Sequence, residues 1–350
     1  MPRTSLHHSG AMTTTIVYGA GAIGGITGAR LAQAGHDVLL VDKAEDHVAA
    51  MNARGLTIES RAGMVNVAVR AITPERLTAD LQLVLLAVKS QDTPAALEVL
   101  APRLAPDGTI VSLQNGLNEE LITAAVGAQR TVGCLVNWAA DWQAPGRILY
   151  GGEGALVLGE LDGRRSERVQ RLAKLLDVVA PTRVSDNILG YTWAKHVYGA
   201  LLVATALVDA HVYEVVERSP AIQTMLVTLV LESMDVALRA GIRLEPFDEF
   251  DPADYHAAAR GDVAARERAM ASVATHYRAA TKTKTGIWRD LAVRKRTTEV
   301  GALLGATVAR AHGLGLAMPL TERLIAMIEE LETGRRQMAW ANLDELVRAS

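Results

Sequence analysis

A chain of 350 residues is longer than one hydrophobic core usually serves, so two domains are expected. Hydrophobic residues make up 49% and charged residues 21%, which describes a soluble globular protein and excludes a disordered or fibrous one. The formal net charge of -3 provides no field to gather nucleic acid or an anionic membrane, so neither is expected as a partner.

In chain order, residues 1–12 hold one arginine, two histidines and no apolar core. They read as a disordered extension and not as a secretory signal. The stretch from Thr15 to Lys43 then carries the first function. An apolar run, Ile16-Val17-Tyr18, turns on Gly19-Ala20-Gly21-Ala22-Ile23-Gly24, a helical pattern follows to Gly35, and a second run at 38–41 ends in Asp42. Strand, glycine turn, helix, strand and acid is the order of a dinucleotide-binding βαβ unit. Gly19 makes the tight turn, Gly21 lets backbone approach a pyrophosphate, and Gly24 allows close helix–strand packing. The phosphates are expected at the helix N-terminus, where free N–H groups and the dipole favour an anion. Asp42, 18 residues beyond Gly24, suits the ribose hydroxyls of NAD. Lys43 beside it suits a 2′-phosphate, so NADP stays open.

Residues 44–54 read as helix, and 56–69 as short strands around Arg61-Ala62-Gly63. The apolar run at 81–88 fits a central parallel strand, ending in Lys89. Helix is expected at 93–104, a strand at 109–113 ending before Gln114-Asn115-Gly116, helix at 118–126 and a strand at 131–136. The alternation predicts a doubly wound sheet with ligands at the carboxyl ends of its strands, where Lys89 and Asn115 both stand. Short glycine-rich strands follow at 146–160, then a helix at 164–179. From Asp186 the pattern is helical: 189–210, 220–241, 251–282, 285–313 and 319–331. This gives an α/β fold with a Rossmann domain at 13–184 and an all-helical domain at 185–350, with the substrate in the cleft between them. The apolar stretch at 197–208 is too short to cross a bilayer and suits a buried helix. These apolar helices also admit a homodimer. The single cysteine, Cys134, lies in an apolar run and fits an inert thiol in a reducing cytoplasm. No metal is expected.

Three ionisable groups stand out. Lys195 sits where a very apolar helix opens, and desolvation there would bring an ammonium into the range of a general acid. A lysine snorkelling from a helix end is the plainer reading. Glu299 is either a site carboxylate or a surface partner of Arg296 or Lys295. His196 reads as a buried neutral histidine.

The ordered set of GAGAIGG, Val88-Lys89-Ser90, Gln114-Asn115-Gly116, Pro145-Gly146, Leu156 to Glu160, Trp193-Ala194-Lys195 and Asp290 through Glu299 resembles the ketopantoate reductases, from about Thr14 to Glu330. The resemblance implies a Rossmann domain with a helical domain like that of 6-phosphogluconate dehydrogenase, and reduction of a 2-oxo acid by NADPH. It implies Lys195 as proton donor, and Lys89, Asn115 and Ala139 as contacts to the cofactor, with Asn115 near the substrate. Glu299 would close the ternary site. The chain also departs from the family. Two asparagines that bind substrate are here Gly199 and Val203, and a substrate-binding serine is Gly286, beside Thr285. One extra residue between Asp290 and Glu299 would rotate that stretch by about 100° if it stayed helical. The reading is therefore a 2-oxo acid reductase. An NAD-linked D-2-hydroxyacid dehydrogenase with a bulkier apolar substrate is the alternative. A dinucleotide-sensing regulator is a third reading, against which Lys195 and Glu299 argue, since a sensor needs no proton donor.

Overall fold

The computed structural model describes residues 14–350, and the expected extension at 1–12 lies outside them. β1 (Thr15–Tyr18), α1 (Ala22–Gln33) and β2 (Val38–Val41) form the expected strand–helix–strand unit. β1 is buried throughout and pairs in parallel with β2 on one side and β6 (Leu81–Leu86) on the other. A strand covered on both faces favours apolar residues on both, hence Ile16-Val17-Tyr18 after the buried Thr15. α2 (Glu45–Arg54), α3 (Thr93–Leu100), α4 (Glu119–Val126) and α5 (Glu167–Leu176) pack around the sheet. The remaining strands are β5 (Ala71–Ile72), β7 (Leu104–Ser112), β8 (Thr131–Val136), β11 (Leu156–Glu160) and β12 (Thr182–Val184). Their order is β12-β11-β8-β7-β6-β1-β2-β5.

The sheet is mixed and not wholly parallel, because β11 returns antiparallel to β8. The short strands anticipated after Leu56 and Gly146 also join. β3 (Leu56–Ser60), β4 (Gly63–Val67), β9 (Ala140–Ala144) and β10 (Arg147–Tyr150) form a separate four-stranded sheet, ordered β4-β3-β10-β9. Gly146, at φ 75°, makes the turn from β9 to β10. This small sheet lies on α1, where Gly25 leaves space for the Ile148 side chain: a Cβ there would come within 2.3 Å of it.

The helical half is built on α6 (Ile188–Thr205) and α8 (Pro220–Arg239), which pack together. Asn187 and Ser219 cap them, their side chains accepting from the N–H groups of Gly190 and Ile222. By length and composition α8 could cross a membrane, but its apolar residues lie in the helical core. Between these helices stands the short α7 (Val212–Val216).

The expected helix at 251–282 is two helices, α9 (Pro252–Ala259) and α10 (Val263–Ala279). Gly261, at φ 89°, ends the first, and the Asp262 side chain accepts from the N–H of Ala265 to start the second. After Ala280 the chain runs through bends and irregular backbone, Thr281-Lys282-Thr283-Lys284, to Thr285, which caps the next helix.

The expected helix at 285–313 is likewise broken. α11 (Gly286–Arg289) passes into a π-helical turn, Asp290–Arg294, and Lys295 at φ 51° stops it. A second π-helical turn, Gly301–Gly305, leads into α12 (Ala306–Gly313), followed by α13 (Pro319–Glu332) and α14 (Trp340–Ala349). α14 has no counterpart in the sequence reading.

The turn into α1 depends on contact between backbones. A Cβ on Gly24 would lie 2.0 Å from the carbonyl oxygen of Gly19. Gly24→Ala is therefore expected to destabilise the protein by about 1–3 kcal/mol through overpacking. Thermal unfolding checks this, and an unchanged midpoint would show that the turn relaxes without cost.

Candidate active site between the two domains

A cavity of about 1650 Å³ runs from the glycine turn, past the ends of β6 and β7, to the face of α6. At one end Gly21 supplies no capping side chain, and α1 has no acidic residue in its first turn. Its first N–H groups are thus left for an anion. Space is available there, since a Cβ on Gly21 would meet nothing within 4 Å. Gly19, at φ 96°, presses so closely on the next strand end that a Cβ would stand 2.7 Å from the Val88 nitrogen. Gly19, Gly21, Ala22 and Ile23 line the cavity with Asp42 and Lys43. Ala20 and Gly24 support the turn without lining it. Ala20 is fully buried, with its carbonyl oxygen 2.9 Å from His47 Nε2. The Asp42 carboxylate accepts from the N–H of Ala44, and Lys43 pairs with Asp92 at 2.8 Å. An open anion-binding helix end with an acid after the second strand fits a dinucleotide.

In the middle of the cavity, Lys89 donates to Asp290 at 2.6 Å and stands 3.9 Å from Glu299. Asp290 is fully buried and also receives Arg294 and Arg296, each at 2.9 Å. Burial works against its charge, but Lys89 and the arginines hold its carboxyl below the usual range. Burial pushes the Glu299 carboxyl up, against the pull of Lys89. The extra residue before Glu299 does not rotate it as a continuous helix would. The π-helical turn and left-handed Lys295 absorb it, and Glu299 faces the cavity with its side chain 15% exposed. It is not a surface partner of Lys295 or Arg296.

Asn115 and Ala139 both line the cavity. The Asn115 carbonyl oxygen accepts from Ser90 at 2.5 Å and from Asn118 at 2.7 Å, which fixes the loop after β7.

At the far end, Lys195 stands in mid-α6 and not at a helix end, so it does not snorkel to solvent. Its Nζ donates to the carbonyl oxygen of Val136 at the end of β8. Desolvation lowers its pKa to about 8, partly offset by Glu249. His196 next to it is buried, lies beside the Thr307 hydroxyl and has its pKa lowered to about 4 by burial, so it is neutral. Burial raises the Cys134 thiol well above its ordinary range, so it is no nucleophile.

One and two turns beyond Lys195, Gly199 and Val203 also face the cavity, as do Thr285 and Gly286. The Thr285 hydroxyl accepts from the N–H of Trp288. The sequence reading did not single out several further wall residues: Trp138, Tyr198, Phe247, Glu249, Tyr277 and Lys282. For Lys282 the period-two threonine–lysine alternation was no guide, since it forms no strand. The others come from elements whose sequence gives no clue to this wall. Among the described residues no group of three or more His, Cys, Asp or Glu side chains could hold a metal.

A nucleotide cradle facing a desolvated lysine across a domain cleft defines a nicotinamide-dependent oxidoreductase. Comparison with known proteins gives the family. Residues 15–163 match the model of ketopantoate reductase PanE/ApbA, and residues 187–332 match the model of its C-terminal part. The chain is 32% identical over 240 residues to a 2-dehydropantoate 2-reductase of Pyrococcus abyssi, covering 67% of this chain and 77% of that protein. It is 28% identical over 322 residues to one of Archaeoglobus fulgidus, covering 91% and 97%.

A PanE/ApbA family ketopantoate reductase of Ralstonia eutropha JMP134 superposes with TM-score 0.75 at 26% identity, covering 92% of this chain and 99% of that one. D-mandelate dehydrogenase, solved with NADH and anilino(oxo)acetate, superposes with TM-score 0.79 at 21% identity over the same shares and shares the fold. The chain belongs to the ketopantoate reductase family, NAD(P)-dependent oxidoreductases acting on CH–OH groups.

The charge cluster yields a direct expectation. Asp290→Asn leaves Lys89, Arg294 and Arg296 around a neutral group and should cost about 3–5 kcal/mol of stability. Denaturant unfolding measures it, and a loss below about 1 kcal/mol would show that the cations disperse freely.

Proposed function

We propose that the protein reduces ketopantoate, with Lys195 as proton donor. The observation that carries this is a desolvated ammonium, held by the Val136 carbonyl, facing the same cavity as the nucleotide cradle. With a pKa of about 8, Lys195 is mostly protonated at neutral pH yet gives up its proton readily. When bound, the nicotinamide supplies the hydride that reaches the carbonyl carbon. Lys195 donates its proton to the carbonyl oxygen, and its charge stabilises the developing alkoxide. Gly19, Gly21, Ala22 and Ile23 would hold the pyrophosphate, and Asp42 or Lys43 the adenosine ribose. Lys89, Asn115, Ala139 and Glu299 would hold the nicotinamide end, with Lys89 kept in place by Asp290. We place the enzyme in the cytoplasm, with the helical domain available for a homodimer.

A specific observation favours a second reading, an NAD-linked dehydrogenase of a bulkier apolar 2-hydroxy acid. Around Gly199 there is nothing within 4 Å of a Cβ position, and Val203 and Phe247 line the same wall. Asp42 supports NAD by accepting from ribose hydroxyls and repelling a 2′-phosphate. The ion pair of Lys43 with Asp92 is exposed and weak, so Lys43 stays available to NADP.

Two measurements test these readings. In the first, ketopantoate and phenylglyoxylate are compared with NADPH and NADH at steady state. Ketopantoate with NADPH is expected to give the higher kcat/KM. Preference for phenylglyoxylate with NADH would establish the second reading. The second is the pH profile. Protonated Lys195 is lost as pH rises through about 8, so kcat/KM for reduction should fall tenfold per unit above it. Oxidation of the hydroxy acid needs the neutral amine and should rise over the same range. Lys195→Ala should lower kcat by about 10²–10⁴-fold and abolish that limb. Persistence of the limb would exclude Lys195 as the acid.

A further inference from the structure

We infer that Lys282 binds the carboxylate of the 2-oxo acid, so that two lysines share the substrate, Lys195 at the carbonyl oxygen and Lys282 at the acid group. This rests on the role of Lys195 proposed above. Every 2-oxo acid carries a full negative charge one bond from its reacting carbonyl. In a cleft poor in water that charge requires a cation or several donors. Beside Lys195, Gly199, Val203 and Gly286 supply no hydrogen-bonding side chain, and the polar groups that do line the cavity, Asn115 and Thr285 among them, are neutral and do not match the charge of the acid.

Most other cations on the wall are already matched. Lys89 pairs with Asp290 at 2.6 Å and Lys284 with Asp209 at 2.5 Å, while Lys43 follows Asp42 at the nucleotide end of the cavity. Arg294 serves both Asp290 and Asp141, and Arg296 pairs with Asp290. Arg30 lies over the Tyr150 ring at 4.3 Å and donates to Val179, while Arg61 stands exposed on the turn between β3 and β4.

Lys282 differs from these. It lines the cavity and, among the described residues, pairs with no carboxylate; its ammonium donates to the carbonyl oxygen of Ala140 at 3.2 Å. Lys195 donates to Val136, so the two ammonium groups are anchored at either end of the short connection from β8 to β9. Each keeps two N–H donors for a ligand.

The backbone around Lys282 is pinned on both sides. The N–H of Thr281 donates to Gly151 at 2.9 Å, and that of Val212 donates to Thr283 at 3.1 Å. Desolvation, and in smaller part the Lys282 charge, disfavours the charged form of Lys195. A substrate carboxylate between them would offset that repulsion and keep the proton donor charged until the hydride arrives.

The test uses the enzyme saturated with its cofactor, with phenylglyoxylate, ketopantoate and the neutral amide of phenylglyoxylate. The wild type is expected to prefer the acid over its amide by about 100-fold in kcat/KM. Lys282→Met should raise KM for both acids by about 100-fold, bring the acid-to-amide ratio near unity and leave cofactor Kd within about twofold. Lys282→Arg, which keeps a cation and guards against a folding defect, should retain most of the acid preference.

An acid-to-amide ratio unchanged in Lys282→Met would overturn the assignment while leaving the reductase reading intact. So would a weakened cofactor Kd, which would move Lys282 to the nucleotide phosphates. If the wild type reduced neither acid, the reductase reading itself would fall, and this inference with it.

Discussion

The site depends on one buried carboxylate. Asp290 belongs to the helical domain, yet it receives Lys89 from the end of a central strand of the nucleotide domain, at 2.6 Å. Two arginines of its own segment complete its neutralisation. Asp141 adds a second tie, receiving Arg289 and Arg294 from the same stretch. A carboxylate without water must be paired, so these bonds set how the 290–299 segment crosses the cleft. Glu299 reaches the cavity because that crossing is made by a π-helical turn and a left-handed residue instead of a regular helix.

The second organising effect is desolvation. α6 is apolar on nearly every side, and the same burial that holds it in the core lowers the affinity of Lys195 for its proton. His196, its neighbour in sequence, is driven to neutrality by the same cause and left without a role in proton transfer. Two adjacent basic residues on one helix therefore have different uses. One points toward a cavity where a ligand can restore its charge, and the other points into packed protein.

The nucleotide-binding end was legible in the sequence. Its constraints are local: a turn that only glycine permits, an uncapped helix start, and an acid after the next strand, all within one short stretch. That the second half is helical was legible too, from its long apolar segments with few strand or turn signals. Their interruptions were less so. The break at Gly261 had a signal in the glycine and the capping Asp262, which the surrounding periodicity outweighed. The break at Lys295 had a signal only in the extra residue between Asp290 and Glu299; the left-handed lysine itself stands between Arg294 and Arg296, which both bind Asp290.

Sequence alone therefore determined the fold class and the dinucleotide-binding unit, and marked Lys195 as a candidate for proton chemistry beside the plainer reading of a snorkelling lysine. Each rests on interactions between near neighbours in the chain or on the ordered set of family motifs. Only the tertiary structure decided that β9 and β10 join β3 and β4, that Glu299 faces inward, and that Lys195 and Lys282 are anchored at either end of one short connection. Those outcomes come from hydrogen bonds and ion pairs between residues far apart in the chain. Such pairings are chosen by how the whole chain can bury its charges at once, which no local pattern contains.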